Sequence, residues 1–549
     1  MRNAKFGTIV IKVLLLCLLS LGGVWRVLAN ETWVGGAAGN PTDWNTAANW
    51  NPAGVPGVGQ NVTVPGGLGF YPVLNAPATA INSMTIGSGA SLTINAGGSL
   101  SMTGSPTVSG TLTISGGSLS AVGSMNLGGA LNVSAGLLSV HNLALSGAAA
   151  ITGGTVHVGQ DIGGNGTLSM GGGTLQVGRD FNPLPANFSA TGGTVEWTGV
   201  ADASAFPAGT YNFYNVQIDA RANPGFDNQA NTINVAGNWT DNGSATLTQK
   251  ATTVSFDGSA AQTIGGSSPT TFNNLKIANS AGVTLATSVT VDSALNLSSG
   301  LLVTGTNQVI VPIGGSVTGA SSGSYIDGNL QKVFPVGNNQ TFTFAVGDAS
   351  TYLPLTMSSV NVTTAGSLTV KSTPGEHPMI STSGINPAKD VNRYWTITNV
   401  PSGIVVSSYN VTFNFVASDV DSEANPANFV VGLYNGSWSL PVTGTRTATS
   451  TAATGLTAFG DFAIGEAGGS SPVGQIGQPC MVACCLQADR TAMLTLTGTG
   501  GITYSIMAST DLRNWTKIGS AIAGTNGAFH FVDPNAANFS QRFYRAVYP

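Results

Sequence analysis

Residues 91–121 read SLTINAGGSLSMTGSPTVSGTLTISGGSLSA, and one short pattern occurs in them twice. Leu92 returns as Leu112, and Leu100 returns as Leu119, the latter two each lying just past a Gly-Gly pair. Working outward, the phase of Leu119 continues through Leu138, Val156, Leu175 and Val195, at gaps of 19, 18, 19 and 20 residues. Periods near 20 mark solenoids, in which each repeat buries its apolar face against the next. A second phase runs Leu92, Leu112, Leu131, then Ile151 and Leu168. A third runs Ile86, Val108, Leu127, Leu145, Ile162 and Phe181. Three short strands per turn predict a triangular coil, a right-handed parallel β-helix with rungs of about 19 residues. Alternate residues point inward along each strand, and the Gly pairs supply positive φ at the corners.

Composition agrees with an all-β chain. Only 7% of the 549 residues are charged and 42% are apolar, whereas disordered chains combine high charge with few apolar residues. Gly is 75 of 549, roughly double the usual share. Stacked rungs lie roughly 4.8 Å apart, so a charge repeated at one phase would face its own sign, which destabilises a sheet. Ser, Thr and Asn avoid that repulsion and can form hydrogen-bonded ladders along the stack.

The N-terminus reads as a signal peptide over 1–29, with Arg2, Lys5 and Lys12 before the apolar run Val13–Leu19 and cleavage after Ala29. Cys17 is preceded by Leu16, which is not the small residue that lipid attachment requires. The chain has 18 basic residues; losing Arg2, Lys5, Lys12 and Arg26 leaves 14 against 23 acidic ones, a formal charge of −9. That argues against nucleic acid or an anionic membrane as partner. No later segment is long and apolar enough to span a membrane. The remaining cysteines, Cys480, Cys484 and Cys485, read as one disulfide pair and one free thiol in an exported chain. No His stands near them to complete a metal site.

Residues 30–80 hold Trp33, Trp44 and Trp50 and read as a cap over the open end of the coil. Sugar stacking on those rings is the alternative. The solenoid proper covers 81–200. In 201–320 a longer repeat appears: Val195 matches Val254, Val216 matches Leu275 and Ile218 matches Ile277, each 59 residues on, falling to 56 for Ile233 to Val289 and Val235 to Val291. We read it as the solenoid continuing with longer rungs, a separate sandwich being the alternative. Irregular strands over 321–466 predict a β-sandwich-like module. Residues 467–487 read as a linker with a Cys cluster, and 488–549 as a small C-terminal β-sandwich.

Several strings resemble parts of known proteins. TWVGGAAGNPTDWNTAANW at 32–50, FDGSAAQTIGG at 256–266, TTFNNLKIANSAGVTL at 270–285, DVNRYWTIT at 390–398 and YSIMASTDLRNWTKIG at 504–519 resemble modules of secreted or surface β-helix repeat proteins of the Planctomycetes–Verrucomicrobia type. The resemblance implies an autotransporter-like repeat region followed by a C-terminal β-sandwich, exported or at the cell surface. The terminal module is too short to build a membrane barrel alone.

Few residues offer chemistry. Between 81 and 200 the ionisable set is His141, His157, Asp161, Arg179, Asp180 and Glu196. Asp161 lies 18 residues before Arg179 and 19 before Asp180, so neighbouring rungs bring all three to one corner, read as an ion pair rather than a catalytic set. His141 and His157 read as outward-facing. His377, in a Pro-rich loop, and His530, in a terminal strand, have no triad context. Asp419, Asp421 and Glu423 lack the Gly and distal Glu of a calcium loop and read as a solvated acidic turn. No catalytic, cofactor or metal residue is assigned. The expected function is structural or adhesin-like, with sugars or cell-envelope components as partners through neutral Ser, Thr and Asn faces. The alternative is a β-helix enzyme, lyase or glycoside hydrolase, acting on polysaccharide.

Overall fold

Side chains that alternate in and out every second residue can only be buried if the same phase meets itself on the next rung, and this condition organises most of the chain. A computed structural model describes residues 30–199, 206–220, 222, 224–226, 228–243, 245–247, 250–399, 403–468, 480–498, 500–524 and 527–547, without the side chains of 480–485. The expected signal peptide, and with it Cys17, lies outside these residues. Strands make up 58% of the structure and helix 4%. The chain forms two units, one reaching to Thr373 and including Trp395–Asn414, the other comprising Pro374–Tyr394 and Phe415 onward.

The first unit is a parallel β-solenoid of about 14 turns. Three columns define its early turns. On one side, Leu100, Leu119, Leu138, Val156, Leu175 and Val195 are successive register partners, and all are 1% exposed or less. On the second, Leu92, Leu112, Leu131, Ala149, Leu168 and Phe188 stack. On the third, Val64, Ile86, Val108, Leu127 and Leu145 stack. Two positions differ from the sequence phases. Ile151 lies two residues along, between Val133 and Met170, because small Ala149 fills the place next to Leu131. Ile162 stacks on Leu143, and Leu145 is followed by Gly164.

Glycine serves the stack mainly through its missing side chain. Gly110, Gly129, Gly147 and Gly166 form one corner column, where an added Cβ would fall 2.0–2.2 Å from a carbonyl oxygen of the rung before. None of these four has positive φ. In a second column, Gly136, Gly154, Gly173 and Gly193 combine an approach of 2.0–2.7 Å to the backbone of the rung before with φ between +69° and +86°. Corner glycines are therefore needed for rung-to-rung distance at one column and for backbone conformation as well at the other.

Parallel pairing is present from Glu31, opposite Val62, and continues among the described residues of 201–320. Tyr211, Ile233, Val254, Leu275, Leu295 and Val317 form one column. Val195, Val216, Trp239 and Ile264 form another, at spacings that lengthen from 21 to 23 to 25 residues. The matched residues Val195 and Val254 thus lie on different sides of the coil. Two full turns and two further sides separate them, so the 59-residue repeat advances out of phase with the turn. Longer rungs enclose more volume, and rings fill it: Phe181, Trp197, Phe206, Tyr211, Phe213, Phe226 and Trp239 are buried in a chain of ring contacts. Each such ring contributes about 1.5–3 kcal/mol by burial, with about 0.5–1.5 kcal/mol more for a well-placed pair.

Ile326–Phe334 still pairs in parallel with Val346–Gly347 at its start and takes Gly366–Pro374 as an antiparallel neighbour along the rest. In the second unit, Phe429–Tyr434 pairs antiparallel with Gly460–Ala467. Two three-stranded sheets, Cys480–Leu486 with Ala492–Thr497 and Ala528–Asp533, and Thr516–Ile522 with Thr503–Ser509 and Phe543–Val547, then share a core of Leu494, Leu496, Tyr504, Ile506 and Phe529. Cys480–Leu486 is an edge strand of this sandwich, paired with Ala492–Thr497, so the cysteines lie on a strand and not in the linker. The apolar run after Pro479 accounts for it. The pairing of their thiols lies outside the described residues.

Candidate functional site

The corner predicted from spacing forms. Ser124, Asn142, Asp161 and Asp180 each immediately precede a strand of one column, whose register is Met125, Leu143, Ile162, Phe181. The Asn142 amide donates to Ser124 Oγ at 3.0 Å, and its Oδ1 accepts from the backbone N–H of Asp161 at 2.9 Å. Asp161 Oδ1 in turn accepts from the Asp180 N–H at 3.3 Å. Arg179, held beside Gln160 by its own N–H, clamps Asp161 with Nε 2.7 Å from Oδ1 and Nη2 on Oδ2. The same Nε lies 3.7 Å from Asp180 Oδ2. Hydrogen bonding to Asp161 and its charge hold the guanidinium above its ordinary pKa. Beside the clamp is a shallow groove of about 300 Å³ lined by Asn142, Leu143, Asp161, Ile162, Gly163 and Asn182.

Glycoside hydrolysis needs two carboxyl groups with room between them for a sugar oxygen or a water. Here the Arg179 guanidinium occupies that room. The corner can present a carboxylate edge and backbone polar groups to a ligand, but its two acids are joined through one cation.

The outward faces carry further ladders. His157 Nδ1 donates to Gln176 Oε1 at 3.2 Å, the direction fixed because an amide oxygen only accepts. Gln176 and Gln217 both donate to Glu196, at 2.9 and 2.6 Å. Asn82 bridges Asn61 and Thr103, and Asn95 bridges Asn75 and Ser115. His141 is exposed. The three N-terminal tryptophans are internal: Trp33, Trp44 and Trp50 are 0–2% exposed, in edge-on contacts of 4.9 and 4.7 Å. Trp50 Nε1 donates to the Trp44 carbonyl and Trp33 Nε1 to that of Phe70. Their faces are not open to a sugar.

The second unit gives His377 and the acidic turn polar partners that the sequence reading did not find. His377 is 4% exposed; Nδ1 accepts from the Met379 N–H, so Nε2 carries the proton facing Asp461 Oδ2 at 3.2 Å. The rings of Tyr394, Tyr434 and Trp438 surround it. The acidic turn is not simply solvated. Asp419 pairs with buried Arg393 at 2.9 Å, and Asp421 accepts from the Asn392 amide at 2.8 Å and the Asp390 N–H at 3.1 Å. These partners lie some 30 residues away, beyond any local pattern. Burial, then the neighbouring Glu376 and Asp421, pushes the Asp390 carboxyl up to about 9, and burial also raises Glu376. In the terminal sandwich His530 lies 3.2 Å from Thr495 Oγ1, and Arg542 Nε is 2.9 Å from Asp533. Among the described residues no group of three His, Cys, Asp or Glu is arranged to hold a metal ion, and no helix is long and apolar enough to cross a membrane.

Fold and site together define a parallel β-solenoid protein with polar ladders on its flanks and an ion-paired corner. A family model described as a domain of unknown function, DUF8693, matches residues 32–134, the buried tryptophans and the first turns. No curated protein and no solved structure matches the chain.

Proposed function

We propose that this protein is a structural or adhesin-like component, exported and held outside the cell or at its surface, which binds carbohydrate through the neutral ladders of its solenoid. The observation that carries the reading is the character of those faces. Asn, Ser, Thr and Gln side chains recur from rung to rung, fixed by hydrogen bonds to one another, with donors and acceptors that match sugar hydroxyls. Regular repetition suits many weak contacts along a polymer. The resemblance to modular surface proteins points the same way. Catalysis has no part in the proposed role, since Arg179 ties the corner carboxylates together.

The test is a glycan array and polysaccharide pull-down with residues 30–549, with release of reducing ends followed in the same samples. Binding without release is expected. Release that disappears in Asp161→Ala or Asp180→Ala would make the protein a polysaccharide-degrading enzyme and overturn the reading. Absence of binding would remove sugar as the ligand.

A further inference from the structure

Asp390 is 1% exposed, and its Oδ1 is shut off from solvent with no hydrogen-bond donor on it. Its side chain packs against Gly465, with the carboxyls of Glu376 and Asp421 within hydrogen-bond reach of its own. The Asp390 carbonyl accepts from the Asp421 N–H at 3.1 Å, and Asp421 Oδ2 accepts from the Asp390 N–H at 3.1 Å. Strand Ile385–Thr398 and the turn at 419–423 are thus fastened by one backbone–backbone bond and one bond from a backbone N–H to the Asp421 carboxylate. Arg393 pairs with Asp419, and the Nε2–H of His377 faces Asp461. Glu466 accepts from the Asn425 N–H. The neighbouring charges that raise the Asp390 carboxyl are those of Glu376 and Asp421. A buried carboxyl set against two others favours its protonated form.

We propose that Glu376, Asp390 and Asp421 form a proton-held clasp: a proton shared among them joins strand Ile385–Thr398 to the turn at 419–423, and its loss in alkaline solution loosens that junction. An unfolded aspartate releases its proton near pH ~3.9, whereas folded Asp390 keeps it to about 9. Between those values the folded state carries the extra proton. The clasp's contribution is therefore complete below about pH 4 and is lost as pH rises toward 9, up to about tenfold in the opening constant per pH unit. An exported protein with this device holds the unit more firmly in acid than in alkali.

Hydrogen exchange of the full chain in EDTA, read on peptides covering 386–394 and 417–424 and corrected for intrinsic rates, tests it. Between about pH 6 and about pH 9 protection in the wild type is expected to fall at least about tenfold, and Asp390→Asn, whose amide cannot ionise, to show no such fall. Equal protection of the wild type at both values overturns the proposal, as does an equal fall in Asp390→Asn. Recovery of alkaline protection on adding calcium also overturns it, making the cluster a cation site. Should Asp390→Asn fail to fold, infrared titration of the wild type decides. A carboxylic-acid carbonyl band that survives at neutral pH and bleaches in alkali supports the clasp, and its absence at neutral pH refutes it.

Discussion

Gly136 shows how narrowly single residues are constrained. Its φ is +86°, and a Cβ there would stand 2.0 Å from the Gly117 carbonyl oxygen. Gly39 has nearly the same φ, +82°, with nothing within 4 Å. Gly39→Ala is expected to cost about 1 kcal/mol through backbone conformation alone, and Gly136→Ala about 3 kcal/mol because the preceding rung must also move. Denaturant midpoints of the two variants separate these causes. Charge is constrained in a similar way. Gln176→Glu would set a carboxylate against Glu196 in place of the present 2.9 Å bond, at a cost of about 1 kcal/mol. Raising the salt concentration is expected to recover part of that loss. At this scale the corner of Asp161, Arg179 and Asp180 was legible, because rung spacing is a local arithmetic. The contacts of Asp390 with Glu376 and Asp421 were not, since no periodicity links those segments.

One turn is the natural unit of insertion and loss among the elements. Leu143 and Ile162 are register partners, so removing 143–161 joins Asn142 to Ile162 in the same phase. That variant is expected to keep its β-sheet circular dichroism and a cooperative unfolding transition, since each rung contacts only its neighbours. Removing 143–152 instead leaves the following strands on the wrong sides and is expected to abolish the transition. The sequence located the strands because inward Leu, Ile and Val alternate with polar residues. It misplaced Ile151 because Ala149 carries too little apolar surface to stand out, although it is 2% exposed. Ile162 shows the same two-residue ambiguity: strands have a period of two, and a shift of two keeps every side chain on its correct face.

Across the whole molecule, similarity between segments and equivalence of position are separate properties. Val216 and Leu275 match in sequence, yet one faces Trp239 and the other Val254 and Leu295. The solenoid accepts this because all three sides make the same demand, an apolar residue at alternate positions and a compact corner. For the same reason the sequence revealed the architecture more readily than the chemistry. Repetition writes the fold many times over, whereas a clamp such as Asp161 with Arg179 is written once. The two short sheets of the terminal sandwich were visible as alternating strands, but the start of the module was hidden, since Cys480–Leu486 reads first as a cysteine cluster.

The succession of stacked rungs also has a mechanical meaning. Each turn is held to the next by backbone bonds that run along the axis of the coil, so tension applied to its two ends loads those bonds at one terminal rung at a time. Single-molecule stretching is expected to give a sawtooth in which each early turn of 19 residues releases about 60 Å of chain. Releases from 201–320 should be longer in proportion to their rungs. A tether built this way yields by small increments under load, dissipating work at every step while the remaining turns stay folded.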